Sequence, residues 1–364
     1  MKRRDFLAGA ASGVAVGAAA AVSSPAIASG KRTLKMVTTW PKNFPGLGTG
    51  AARAAKRITD MTDGQLTVKL FAAGELVPAL EAFDAVSSGT ADMYHGAEYY
   101  WQGKHKAFNF FTAVPFGLTA GEMDAWIHHA GGQELWDELA AGFNVKPFAC
   151  GNTGVQMGGW FNKEINTVED LKGLKIRMPG LGGEVLRKLG AAAITLPGGE
   201  IFPSLQSGAI DATEWVGPWN DLAFGFYKTT KFYYYPGFHE PGSTLSCGVN
   251  LDVWKSLSPA HQEIVRNATM AENNYMMAEF NARNGDSLDV LLNKHGVQLR
   301  KFSDDVMTKI GEASGEVMRE VAASDDMTGK VFKHFADFRK KAMRWSDMSE
   351  NAYWDARRLP FKYD

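Results

Sequence analysis

Leu-Lys-Gly-Leu-Lys-Ile-Arg-Met-Pro-Gly (171–180) and Phe-Pro-Ser-Leu-Gln-Ser-Gly-Ala-Ile-Asp-Ala-Thr-Glu-Trp (202–215) decide how this chain is read. Between and around them, Lys175–Met178 is predicted as a strand and Gly183–Leu189 as a helix. Ala193–Leu196 follows as a strand, Glu200–Gln206 as a helix and Ile210–Trp215 as a strand. Ser207-Gly208 stops the last helix and Asp211 opens the last strand. Strand and helix in turn predict an α/β fold with largely parallel sheets.

The first half carries the same scheme. Glu81, Phe83, Ser88, Gly89 and Asp92 stand at one ungapped offset from Glu200, Phe202, Ser207, Gly208 and Asp211. Pro-Gly-Leu-Gly occurs at 45–48 and again at 179–182, each time ahead of a predicted helix. Strands are expected at Thr33–Trp40, Leu66–Phe71, Ala91–Gly96 and Val145–Cys150, with helices at Gly48–Met61, Pro78–Ser87 and Ala120–Ala141. The spacing therefore predicts two similar lobes. Ser258-Pro259 then has the chemistry of a helix start, a side-chain cap followed by proline at the first helical position. A helix over 258–295, interrupted only by Gly285, would reach roughly 55 Å at 1.5 Å per residue, enough to bridge two lobes. Val297–Phe302 reads as a strand. In the tail, Val331, Phe335, Phe338, Ala342 and Trp345 recur at steps of four and three, an apolar seam for packing on the same chain or on a second subunit.

The N-terminus states a destination. Arg3-Arg4, a small-residue apolar stretch over Ala8–Val22 and the small-x-small site Ala26-Ile27-Ala28 read as a twin-arginine export signal over 1–28. The stretch is poorer in strongly apolar residues than a membrane span. The chain carries a formal net charge of −1; removing Lys2, Arg3, Arg4 and Asp5 (+2) leaves about −3, which argues against nucleic acid as a partner. Cys150 and Cys247 lie in predicted strands and are expected free and buried.

Motifs for chemistry are few. Gly46-x-Gly48-x-Gly50 fits a dinucleotide loop poorly, because Pro41–Pro45 separates it from the strand and the third glycine comes early. The eight histidines form no zinc spacing, and no G-x-S-x-G elbow occurs. Arg177 ends a strand just before a helix, where ligands of parallel α/β sheets bind. Its fork suits a carboxylate, though spacing alone leaves a surface arginine equally open. Glu214 and Glu240 are, by spacing, two unrelated acids.

Taken together, the export signal, the two-lobed pattern, the stretches 171–180 and 202–215 and the long helix resemble the extracytoplasmic solute receptors of tripartite ATP-independent periplasmic (TRAP) transporters. Glu214-Trp215, Gln156 and Glu240 resemble the TakP-like branch, which binds 2-oxo acids such as pyruvate. The resemblance implies a two-lobed periplasmic substrate-binding fold, with residues 29–152 plus about 242–270 in lobe I and 153–241 plus about 297–325 in lobe II. The helix 258–295 would connect them, and 326–364 would form a C-terminal helix and tail that pairs two subunits into a homodimer. It implies that Arg177 grips the solute carboxylate. A Na⁺ ion, or alternatively Ca²⁺, would be held by Gln156, Glu214, the Trp215 carbonyl and Glu240, bridging to the solute. Gln156, Trp215, Asn220 and Tyr100 would also contact the solute, with Trp160, Trp215 and Phe202 as walls. The protein would deliver its ligand to the membrane permease and catalyse nothing. Lactate or another organic acid as ligand, a sensing subunit, and an exported enzyme acting on an organic acid remain alternatives.

Overall fold

A computed structural model of the chain describes residues 30–362; the export segment and its cleavage site lie outside them. Eleven strands form two sheets. They are β1 (Arg32–Thr38), β2 (Leu66–Phe71), β3 (Met93–Gly96), β4 (Val145–Asn152), β5 (Gly159–Phe161), β6 (Lys175–Arg177), β7 (Ala192–Ile194), β8 (Ala212–Thr213), β9 (Phe232–Tyr235), β10 (Thr244–Asn250) and β11 (Gln298–Lys301). One sheet runs β2-β1-β3-β10-β4 and the other β11-β9-β5-β8-β6-β7. Helices cover both, which gives the expected two-lobed α/β architecture.

The sheets are mixed rather than largely parallel. β1 pairs parallel with β2 and β3, and β6 with β7 and β8. β10, however, is antiparallel to β3 and β4, and β5 is antiparallel to β8 and β9. These are the strands by which the chain enters one sheet directly from the other. A strand arriving from the cleft, at the C-terminal ends of the parallel strands, has to run against them.

The repeat seen in the sequence is a repeat of structure. In lobe I the Asp92 carboxylate accepts from Lys35 N at 2.7 Å, and Lys35 Nζ donates to Thr90 O at 2.7 Å. In lobe II the Asp211 carboxylate accepts from Lys175 N at 3.1 Å, and Lys175 Nζ donates to Gly208 O at 2.7 Å. The register agrees as well: Met36 faces Met93 as Ile176 faces Ala212, and Val37 faces Tyr94 as Arg177 faces Thr213.

The predicted helix over 120–141 is two helices, Ala120–His129 and Gly132–Ala141. Gly131 breaks it at φ +88°, a left-handed conformation open to a residue without Cβ. Gly285, by contrast, does not interrupt the long helix, which runs unbroken over Pro259–His295, capped by the Ser258 side chain accepting from His261 N at 3.2 Å. That helix does bridge. Its fully buried Glu272 pairs with Arg53 and Arg57, both at 2.8 Å, on the lobe I helix Leu47–Met61. Further along, Asn284 Oδ1 accepts from Trp219 N at 3.1 Å, and Phe280 meets the Trp219 ring at 5.3 Å, on the lobe II side.

Cys150 and Cys247 are free and buried, in β4 and β10. The C-terminal seam packs on its own chain over part of its length. Val331 and Phe335 are buried, Phe335 against Trp126 and Phe110, whereas Trp345 is 68 % exposed at the far end of the same helix, Asp326–Ser346. No described helix is long and apolar enough to cross a membrane.

Candidate functional site

The two sheets point their strand ends at each other, and buried charge collects there. Arg177, the last residue of β6, is fully buried. Its Nε donates to Leu196 O at 3.2 Å, and Nη1 donates to the Glu214 carbonyl at 3.3 Å and to the Glu214 carboxylate. Nη2 donates to the Tyr100 hydroxyl at 3.3 Å, reaching across to lobe I. The guanidinium also lies 5.0 Å from the Trp215 ring. Three of its five N–H groups go to Leu196 and Glu214, so the lobe II frame fixes the plane of the fork. Burial works against its charge, but Glu214, Tyr100, Tyr99 and Glu240 outweigh that and raise its pKa.

Gln156 and Glu240 come from the two segments that cross between the sheets, β4 to β5 and β9 to β10. The segments are tied together: Gln156 N donates to Glu240 O at 3.1 Å and Gly237 N to Gln156 O at 2.9 Å. Gln156 Nε2 donates to the Glu240 carboxylate at 2.8 Å and to Thr153 Oγ1 at 3.0 Å. Its Oε1 is buried with no partner, which breaks the ordinary rule for buried polar atoms.

His239 joins this group and was not foreseen. Its Nε2 lies 3.2 Å from Glu214 Oε2 and 4.0 Å from Glu240 Oε1. Burial pushes its pKa down, but the hydrogen bond and charge of Glu214, with the charge of Glu240, raise it on balance. Glu240 is pushed up to about 7, by burial first and by the Glu214 charge second. Ligand atoms of Glu214, His239 and Glu240 lie within 4.8 Å of one another. The only sequence sign of His239 was its place beside Glu240 at the end of an aromatic run.

Two carboxylates this close, out of water, repel strongly and need compensating positive charge. Arg177 and His239 supply part of it. The unpartnered Gln156 Oε1 and the Glu214 and Glu240 oxygens form the hard-oxygen donor set that Na⁺ or Ca²⁺ requires. The residues present therefore fit such a cation.

Beside this group is a small cavity of about 10 Å³, lined by Tyr100, Gln156 and Trp215 together with Trp40, Leu47 and Leu245. That is room for roughly one water, so the side chains around it stand close together. A larger groove, about 500 Å³, is lined from Val114 and Phe116 to Phe335 and Arg339, away from the acids. We place the site at the smaller cavity, because the buried charges and unpartnered polar atoms converge there.

Arg177, Tyr100, Gln156, Glu214, Trp215 and Glu240 are thus brought together. Asn220 does not line the cavity: its Nδ2 donates to Pro45 O at 3.1 Å, linking the lobes, while its Oδ1 is buried without a partner. Trp160, expected as a wall, stacks on Tyr233 at 4.0 Å and donates to Asp221 at 3.0 Å, inside the lobe II core. Phe202 packs at the edge of the same core. A residue's place in the sequence does not say how deep in the lobe its side chain sits.

Comparison with known proteins agrees with this geometry. Residues 36–325 match the family described as bacterial extracellular solute-binding protein, family 7. A monocarboxylate 2-oxoacid-binding periplasmic protein of Nostoc sp. is 43 % identical over 358 residues, 97 % of this chain and 98 % of that protein. A TRAP periplasmic solute-binding protein of Pseudoalteromonas atlantica, solved with bound sodium and pyruvate, superposes with a TM-score of 0.87 at 41 % identity, covering 91 % of this chain and 100 % of that one. One from Colwellia psychrerythraea, solved with calcium and pyruvate, gives 0.87 at 42 % identity, covering 90 % and 99 %. With the sheet order, the bridging helix and the converging charges, these likenesses lead to one conclusion: the chain belongs to the bacterial extracellular solute-binding protein family 7, as a TRAP-type solute receptor and not an enzyme.

Proposed function

We propose that the protein captures a small 2-oxo monocarboxylate of the pyruvate type outside the cytoplasm and hands it to a TRAP membrane permease. One observation carries the reading. A buried arginine paired with Glu214 and a second buried acid, Glu240, stand together with Gln156, whose amide oxygen has no partner and which lines the small cavity. An anion alone would suit Arg177 but be repelled by Glu214 and Glu240, whereas an anion accompanied by a cation suits both.

In this reading Arg177 binds the solute carboxylate, with Tyr100 beside it. Gln156 Oε1, Glu214, Glu240 and the Trp215 carbonyl hold Na⁺ or Ca²⁺. A cation held there would supply the positive charge that cancels the repulsion between the acids and the solute. Arg177, Glu214 and Trp215 belong to lobe II, Tyr100 and Trp40 to lobe I, and Gln156 and Glu240 to the crossings. Ligand contacts from all three stabilise the closed arrangement. The twin-arginine signal and the family support a periplasmic location. The exposed Trp345, Tyr353 (65 %) and Trp354 (43 %) support pairing of two copies through the C-terminal helix.

Titration calorimetry with pyruvate and with propionate, its analogue lacking the oxo oxygen, tests the reading. Pyruvate should bind at least about 100-fold more tightly, because propionate lacks the oxo oxygen and leaves its buried polar counterpart in the site unpaired. Equal affinities would contradict a 2-oxo acid receptor.

A further inference from the structure

His95 stands in lobe I where Glu214 stands in lobe II. Each is the third residue after the aspartate that opens its strand, Asp92 or Asp211, and the paired strands share one register. Glu214 turns to Arg177. His95 turns to Trp40 instead: Trp40 Nε1 donates to His95 Nδ1 at 2.8 Å. That bond places the ring proton on Nε2, which donates to Cys150 O at 3.0 Å in β4. The imidazole is fully buried, and burial pulls its pKa down to about 4, so it stays neutral with both nitrogens occupied.

The partner of this histidine lines the cavity. Trp40 lies just past the end of β1, only 2 % exposed. It meets Trp215 edge-on at 6.1 Å and Tyr100 at 6.2 Å, so it is braced from both lobes. The cavity's lining includes the polar Gln156, Tyr100 and Ser243 and the apolar Trp40, Leu47 and Leu245. A 2-oxo acid whose carboxylate and oxo oxygens are held by the polar groups leaves its alkyl group to the apolar ones, of which the indole is the largest.

The geometry points to Trp40 as the wall that limits the solute's side-chain length, with His95 as the positioning residue that keeps the indole in place. This inference rests on the 2-oxo acid reading above. A tryptophan whose N–H had no fixed acceptor could turn away and admit a longer chain. With His95 clamped between Trp40 and the Cys150 carbonyl, such a turn breaks a buried hydrogen bond.

The test is the affinity ratio of pyruvate to 2-oxopentanoate, measured by calorimetry on the wild type, Trp40→Leu, Trp40→Phe, His95→Leu and His95→Gln. The wild type should favour pyruvate by at least about tenfold, the discrimination a tight apolar wall gives against added methylenes. Trp40→Leu, Trp40→Phe and His95→Leu should shift the ratio toward 2-oxopentanoate by about tenfold. His95→Gln offers an acceptor and a donor in place of the two ring nitrogens and should restore the wild-type ratio, which a merely space-filling histidine would not do. Trp40→Phe preserves an aromatic core should Trp40→Leu fail to fold. An unchanged ratio in the folded variants, with pyruvate still bound, overturns the inference alone, as does a Gln variant that behaves like the Leu variant. A wild type that binds neither acid overturns the reading of the site and this inference with it.

Discussion

The two lobes are built on one clasp and turn it to opposite uses. In each, a strand lysine donates its backbone N–H to the aspartate that leads into the neighbouring strand, and its Nζ to a carbonyl two or three residues before that aspartate. Two residues past the lysine, lobe I carries Val37 and lobe II carries Arg177, both buried. Three residues past the aspartate, lobe I carries His95 and lobe II carries Glu214, again both buried. Lobe II thus presents a fixed ion pair, and lobe I a fixed aromatic surface. The repeated backbone provides position, and four side chains decide which lobe grips and which one walls.

The hardest way to break the contrast is to give lobe II its counterpart's residue. Arg177→Val should abolish solute binding, and it leaves Glu214 buried beside His239 and Glu240 with its main partner gone. Losing one member of a buried pair costs about 3–5 kcal/mol, so chemical denaturation should show a large fall in stability. Retained pyruvate binding would remove Arg177 from the site.

Lobe I has its own buried acid, Glu98, bonded by the Tyr94 hydroxyl at 2.6 Å. Burial raises its pKa from 4.5 to about 7. The folded protein therefore holds this proton more firmly than the unfolded chain does. The stabilisation is complete below about pH 4.5 and is lost as the pH rises toward 7, by up to about 3 kcal/mol across that window. Comparing the pH dependence of unfolding in Glu98→Gln and wild type should show a flatter profile for the variant. An identical slope would mean that Glu98 holds its proton no more firmly in the folded protein than in the unfolded chain.

At the acids of the solute site the sign reverses for binding. Glu240, pushed up to about 7, must lose its proton to hold a cation. Apparent cation affinity should weaken below neutral pH by up to about tenfold per unit, with proton release seen as a buffer-dependent enthalpy. Glu240→Gln should flatten that dependence and weaken the cation.

The smallest expected effect concerns the clasp itself. Lys35→Met and Lys175→Met each remove one exposed hydrogen bond to a carbonyl. Each should cost about 0.5–1 kcal/mol and leave solute affinity unchanged, alike in the two lobes. A large asymmetry would show that the two clasps are not equivalent.

Much of this was legible in the sequence, because its carriers are local. The clasp is written as Ser-Gly and Asp at matching offsets, and Arg177 sits where a strand meets a helix start. The capping of the long helix by Ser258-Pro259 is written in two residues. What was missed depends on contacts distant in the chain. The antiparallel β5 and β10 follow from which sheet the chain has just left, and periodicity does not record that. Gly285 shows the limit of a local rule: packing of Met276 and Phe280 holds the helix together despite it. His239 joins the acids only because two crossing segments pair, and Trp160 lies in the core because β5 is central in its sheet. Glu214 and Glu240 were unrelated acids by spacing, and only the folded crossing brings them together.

The central claim is that solute and cation bind together, and pyruvate titration of the chelated protein, with and without added Na⁺ or Ca²⁺, tests it most directly. The account predicts binding that strengthens by at least about tenfold when either ion is supplied, since the ion neutralises buried acids that otherwise repel the solute. Pyruvate affinity that is the same with and without cation would contradict it and return Glu214 and Glu240 to the fold.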